Sequence, residues 1–496
     1  MVLMQRIYLF SPLDTLSVLL PSGDPASRSI IRLLGIYSPA KEVIMAVQEA
    51  LERLECFGGH VDDNEQSHSS PQDQLILLIG VYASAIPRLK LRRKSASDTL
   101  RSLMVELEKA VRTHGDGFSI NQGRSVIRHT SSLVQEVSTW IKRVTESTEE
   151  QASCNEIMMN VLSVIIETSA HCIQSCAAKR AFAASFPTLV VDKSLTANWE
   201  EGEQAIQRAV VSSHSINLHS IERLHGRTSK PPARRMILLA HAFQELQIVD
   251  NDLLSKVLPG TMSAFQSSVA LDECLALLLN ILPNLKNSAI SPEIITPLCT
   301  ILSSVASTHP GPSIRHQCFR ILSLLLSHSP PTLRLEALKE LTTDPHLPQM
   351  RTAAVGLVKE AVLEGLASSS QHIFASRVFI QVFAPILFRT NPQDFFSKNF
   401  NPEEMHDSYE ASRLIECLSL YYVLLQRDKA NKTGIRDRDI IINTEKSFLA
   451  PLRMALARWE ENHAPNVPMP IISLQISIER VENAIAALDI VKGEKS

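Results

Sequence analysis

Two stretches of this chain repeat one another. IRHQCFRILSLL from Ile314 and MRTAAVGLVKEA from Met350 align with Arg315 on Arg351, Cys318 on Ala354, Phe319 on Val355 and Leu322 on Val358, an offset of 36 residues. Each sits in a helix pair closed by a Pro-bearing turn, PGPS after residue 309 and DPHLPQ at 344–349. Two helices per repeat at this period describe a HEAT- or armadillo-like unit. One such pair cannot hide its apolar face alone, so neighbours must stack, and a stack presents a long concave surface. The expected fold class is all-α, an α-solenoid of HEAT/armadillo-like helical repeats.

The 3.6-residue apolar period extends well beyond these two stretches. Residues 39–57 are expected to form a helix with Ser38 as N-cap and Pro39 at its first position. Ser70-Pro71 opens a helix over 72–86, and residues 96–113 carry Leu100, Leu103, Leu107 and Val111 on one face. Long helices are expected over 120–145, 152–182, 291–309, 314–328, 402–427 and 440–463, and helix over 471–491 despite the strand-like alternation at Leu474, Ile476 and Ile478. The polar stretch 58–71 reads as a mobile loop, and 186–196 as an extended connector. LHGRTSKPPARR (224–235) combines Gly, two Pro and the cations Arg227, Lys230, Arg234 and Arg235, which marks a linker. The chain thus divides into an N-terminal helical region (1–223), a basic Pro-containing linker (224–235) and a C-terminal HEAT-like repeat region (236–496).

Composition narrows the function. Lys plus Arg number 49 against 52 Asp plus Glu, so the chain lacks the cation excess on which phosphate binding rests. Direct nucleic-acid binding is not expected. With only 16 glycines among 496 residues, phosphate-cradling loops are disfavoured. No P-loop, dinucleotide fingerprint, nucleophile elbow or HExxH motif occurs, so no enzymatic activity and no cofactor are expected. The opening MVLMQRIYLFSPLDTLSVLL is interrupted by Pro12 and Asp14 and reads as a core-facing element rather than a signal peptide. No run reaches the ~18 apolar residues that span a bilayer. A soluble chain without a membrane partner follows, cytoplasmic and with nuclear entry open.

Three groups of side chains stand out. His171, Cys172 and Cys176 have partial zinc spacing but lack a second local pair, and Cys172 and Cys176, four apart on one helix, would be too far apart for an unstrained disulfide. Buried thiols are expected, with a reversible thiol switch as the alternative. Arg88, Lys90, Arg92, Arg93 and Lys94 form a dense basic cluster, either an import signal or acidic-partner contact, or else a solvated helix end facing exposed carbonyls. Arg413, Glu416, Tyr421, Tyr422, Gln426, Arg427, Arg436, Asp437, Arg438 and Lys446 gather within two helices and one loop. Tyr and Arg carry interface energy through large contact areas with polar ends. The alternative is that the tyrosines fill the helix-pair core and the charges pair locally. Asn431-Lys432-Thr433 spells a glycosylation sequon, which has no meaning without secretion.

IRHQCFRILSLLL (314–326), QMRTAAVGLVKEAVLEGL (349–366), LIECLSLYYVLLQRDKANKTGIRDRD (414–439) and EKSFLAPLR (445–453) together resemble the glomulin / fungal Yap-binding-protein family. The resemblance implies an all-helical, HEAT-like protein that works by binding other proteins. Fungal relatives bind an AP-1-like bZIP factor in the peroxide response, and some are linked to kinetochores. The animal member caps the RING subunit of cullin-RING ubiquitin ligases. The resemblance favours a stress-signalling adaptor binding an AP-1-like factor, with ligase inhibition as the alternative. A nuclear transport or scaffold solenoid is a third reading, suggested by the basic cluster.

Overall fold

The computed structural model describes residues 11–56, 69–190, 194–215, 233–243, 250–285, 290–390, 409–463 and 469–493. Among these residues the fold is all-α and no β-strand forms. The mobile loop expected at 58–71 and the linker at 224–235 fall largely outside the described residues. The chain groups into two compact units, 1–285 and 286–496, so the helices that directly follow residue 235 pack with the first.

The first unit contains α1 (Pro12–Leu19), α2 (Pro25–Tyr37), α3 (Ala40–Cys56), α4 (Pro71–Ala85), α5 (Ala96–His114), α6 (Ile120–Val144), α7 (Thr148–Thr168), α8 (Ala170–Ile173), α9 (Ala177–Ser185), α10 (Trp199–Ser215), α11 (Ala233–His241), α12 (Asn251–Ser267) and α13 (Leu271–Ile281). Alternate helices pack side by side. One row runs α2, α4, α6, α10 and the other α3, α5, α7, α11, α13. This is the two-row stack expected of helical repeats, with Leu78, Tyr82, Leu107, Val134, Trp140 and Ile165 buried between the rows. Recurrent caps start these helices. Ser70, Ser95, Ser119 and Ser147 each accept the backbone N–H three residues on, from Asp73, Asp98, Gln122 and Glu150. At Ser119 the Gln122 side chain returns the bond to complete a capping box. Ser38 differs from expectation. It ends α2 rather than capping α3, in which the N–H groups of Glu42 and Val43 bond the carbonyl of Pro39.

A second departure lies at 169–177. The single helix expected over 152–182 breaks into α7, α8 and α9, with Gln174 (φ 47°) and Cys176 (φ 53°) in the left-handed region. Two distant side chains stabilise the break. Buried Arg124 of α6 donates to the carbonyls of Cys172 (3.0 Å) and Ile173 (3.1 Å), closing the C-terminus of α8. Asp272 of α13 accepts from the N–H groups of Ala177 (2.6 Å) and Ala178 (3.2 Å), opening α9. Long-range partners thus satisfy the helix-end groups that a continuous helix would have paired internally.

The second unit contains α14 (Pro292–Thr308), α15 (Pro312–Ser327), α16 (Pro331–Thr343), α17 (Pro348–Ala367), α18 (Arg377–Leu387), α19 (Glu410–Arg427), α20 (Arg438–Thr444), α21 (Ala450–His463) and α22 (Met469–Gly493). Proline opens each of α14 to α17, where its missing N–H costs nothing and its fixed φ suits the helix. The 36-residue correspondence holds in three dimensions: Cys318 and Ala354, and Leu322 and Val358, are all fully buried at matching places in α15 and α17. The helices α17, α19 and α22 pack in a row. One ion pair joins successive members, Lys359 of α17 to Glu416 of α19 (3.6 Å), and two tie the row to flanking helices: Arg320 of α15 to Glu360 of α17 (3.5 Å) and Arg453 of α21 to Glu482 of α22 (3.0 Å). Residues 471–491 are helical throughout, as expected.

Candidate protein-binding surfaces

The ten residues singled out between 413 and 446 divide between core and surface. Arg413 is 2% exposed and forms a two-point ion pair with Glu410 on the same helix (2.7 and 2.6 Å), while also donating to the carbonyl of Arg389 (2.6 Å). Tyr421 is fully buried, its ring centroid 4.9 Å from that of Phe388, and burial pushes its phenol up to about 12. Both therefore hold the helix stack together. Tyr422, one residue on and so about 100° further round α19, is 36% exposed. Gln426 and Arg427 end the helix in solvent, Arg438 and Lys446 are exposed on the next helical segment, and half-exposed Glu416 is paired with Lys359.

The loop between α19 and α20 is built around one carboxylate. Asp428, 1% exposed, accepts from the backbone N–H groups of Lys432 (2.8 Å) and Thr433 (2.8 Å) and from the Thr433 hydroxyl (2.7 Å). Asn431 and Gly434 adopt positive φ, and Asn431 bonds both the Arg436 N–H (2.9 Å) and Asp437 (2.7 Å). Arg436 folds back onto the carbonyls of Leu425 and Lys429. Asp437 pairs with Arg377 at 3.4 Å. The charged loop expected from sequence is thus fixed by its own hydrogen bonds, and it presents Arg427, Lys429, Lys432 and Arg438 to solvent. Beyond it, residues 445–449 form a π-turn between α20 and α21, placing Phe448 and Leu449 in the core together and Lys446 outside. π-turns concentrate at functional sites.

A second surface of this unit was not foreseen. Helices α14 and α16 leave a groove of about 550 Å³ whose apolar wall includes Ile295, Leu333 and Leu341. Glu336 and Glu340 stand one turn apart on its rim, with Asp344 at the end of α16, and no cation lines it. Neither Glu336 nor Glu340 has an ion-pair partner among the described residues. The spacing of the three carboxylates in LRLEALKELTTD is visible in the sequence, but α16 alone does not reveal the neighbouring wall that turns it into a groove.

The other two groups resolve differently. Arg88 donates to the carbonyls of Ser84 (3.1 Å), Ser38 (2.8 Å) and Gly35, so it closes helix ends, whereas Lys90, Arg92, Arg93 and Lys94 are exposed between α4 and α5. Cys172 and Cys176 do not share a helical face, because the chain turns left-handed between them. Cys172 is buried, and burial pushes its thiol up to about 11. The thiol of Cys176 instead donates to the Thr196 hydroxyl (3.3 Å). Among the described residues no group of three or more His, Cys, Asp or Glu could hold a metal ion, and no helix is long and apolar enough to cross a membrane.

Comparison with known proteins agrees with the C-terminal reading. No curated protein matches the chain. A family profile described as "Uncharacterised protein family, YAP/Alf4/glomulin" matches residues 247–481, just under half of the chain, and includes both the rigid basic loop and the acidic groove. Over residues 247–481, then, the chain is similar to the YAP/Alf4/glomulin family.

Proposed function

We propose that this chain is a non-catalytic adaptor whose C-terminal unit holds an AP-1-like bZIP factor in the response to oxidative stress. The family match over 247–481 carries the adaptor reading, since this is a protein-binding helical family and not a known enzyme class. The acidic groove supports the choice of partner. The basic region of a bZIP factor is a continuous helix dense in Lys and Arg. A groove with an apolar wall and free carboxylates on its rim complements such a helix in shape and charge. Fluorescence anisotropy of a labelled basic-region peptide against the full chain tests this. Binding that weakens about tenfold or more in the double variant Glu336→Lys, Glu340→Lys supports the reading; equal binding by both proteins rejects it.

A second reading, capping of the RING subunit of a cullin ligase, draws on the other surface, where Tyr422, Arg427 and Arg438 project from a fixed loop and its flanking helices. It predicts that the full chain slows ubiquitin discharge by a reconstituted cullin-RING ligase, and that Arg427→Glu with Arg438→Glu relieves the inhibition. Nuclear entry through Lys90, Arg92, Arg93 and Lys94 belongs to the same proposal; an unchanged distribution after their replacement by Ala removes it.

A further inference from the structure

The N-terminal unit has a groove of its own. Helices α2, α4 and α6 enclose about 560 Å³, floored by Ile76 and Leu77 with Ile36 on the wall. Three arginines line it: Arg28 and Arg32 one turn apart on α2, and Arg128 across the gap on α6. Asp73 is its one acidic lining residue and is already engaged, accepting from Gln122 at 3.1 Å and facing Arg28 at 4.0 Å. Arg32 and Arg128 have no side-chain partner among the described residues.

Stability alone gives no reason for this arrangement. Like charges one turn apart weaken a helix, and neither Arg32 nor Arg128 closes a helix end or balances a buried carboxylate. Ile36 is 46% exposed beside them, an apolar side chain left in water next to uncompensated cations. Apolar floor and cationic rim together specify the occupant.

We infer that this groove is a docking site for an acidic amphipathic helix of a partner protein, its leucine-like side chains on Ile36, Ile76 and Leu77 and its carboxylates on Arg32 and Arg128. Carboxylates three or four residues apart on a helix stand about 5–6 Å from one another, so one helical face supplies both charges. Arg suits this role because its planar fork grips carboxylates at two points. A nucleic acid is the poorer fit, because two free cations and an apolar floor offer little to a chain of phosphates. The inference concerns a surface separate from the C-terminal one and a partner of opposite charge, so it stands whether or not that reading holds.

The test uses the full chain and a fluorescein-labelled helical peptide with glutamates on one face and leucines on the other. Anisotropy should report saturable binding that weakens with added salt and falls at least about tenfold in the double variant Arg32→Glu, Arg128→Glu. The variant Arg32→Lys, Arg128→Lys should retain most of it. Because neither side chain is buried or paired, the charge-reversed protein should melt at the wild-type temperature, which separates lost binding from lost folding. Equal binding of a peptide with lysines in place of the glutamates, undiminished binding by the charge-reversed protein, or stronger binding of a single-stranded oligonucleotide would each overturn the inference.

Discussion

Arg413 and Arg427 lie on one helix and look alike in the sequence, yet they have opposite roles. Arg413 neutralises Glu410, which is itself only 4% exposed. Removing one member of a buried pair leaves the other charge without compensation, so Arg413→Met should destabilise the protein by about 3–5 kcal/mol in urea unfolding. Arg427→Met, at an exposed helix end, should stay within about 0.5 kcal/mol. The other residue-scale centre is His241, 2% exposed at its side chain, with Nδ1 3.1 Å from Glu203 and Nε2 3.9 Å from Glu273. Burial works to lower its pKa, but the hydrogen bonds and charges of Glu203 and Glu273 prevail and raise it to about 9. Burial would raise Glu203, yet His241, Gln207 and Arg180 bring it down to about 2. Asp272, pushed up by burial and by Glu273, opposes the pair on the acid side. A histidine raised above its unfolded value contributes fully below pH 6.5 and loses that contribution as pH climbs through 9. The melting temperature should therefore fall between about pH 6.5 and 9, and His241→Gln should remove most of that slope. A wild-type curve flat over this range would mean His241 is neutral when folded.

Local signals mark many helix starts in the sequence, although at Ser38 the local signal belonged to the preceding helix end. Ser70, Ser95, Ser119 and Ser147 announce their helices within four residues, and so do the prolines that open α14 to α17. Sequence reading failed where distant side chains did the capping. Nothing near residue 174 reveals that Arg124, some fifty positions earlier, takes the carbonyls freed by the break. The same limit applies to Asp428, which looks like one more surface charge among the many of DKANKTGIRDRD and is instead the buried hub of the loop. Asp428→Ala removes three hydrogen bonds at once, two to backbone N–H groups. Hydrogen exchange should then show 431–437 losing protection while α19 keeps it. Protection retained across 431–437 would show that Asn431 and Gly434 hold the turn without that carboxylate.

At the scale of the molecule, the repeat read from Arg315 and Arg351 was enough to give the fold class, because a 36-residue period has few all-helical solutions. Binding surfaces were less legible. Tyr421 and Tyr422 are adjacent and chemically identical, and only the packing of α19 against Phe388 separates the one in the core from the one in solvent. Both grooves are formed by helices whose walls come from non-adjacent segments, so no window of sequence contains either. What the molecule offers is two stacks of helices with charged rims of opposite sign, free carboxylates along α16 and free arginines on α2 and α6. This suits a protein that gathers partners. Cross-linking mass spectrometry on the full chain mixed with an AP-1-like bZIP factor tests that account most directly, since Lys339 lies on α16 between Glu336 and Glu340 and Lys359 lies on α17. The account predicts links from the basic region of the factor concentrated within residues 286–496, Lys339 foremost; links confined to residues 11–285, or no complex at all, would contradict it.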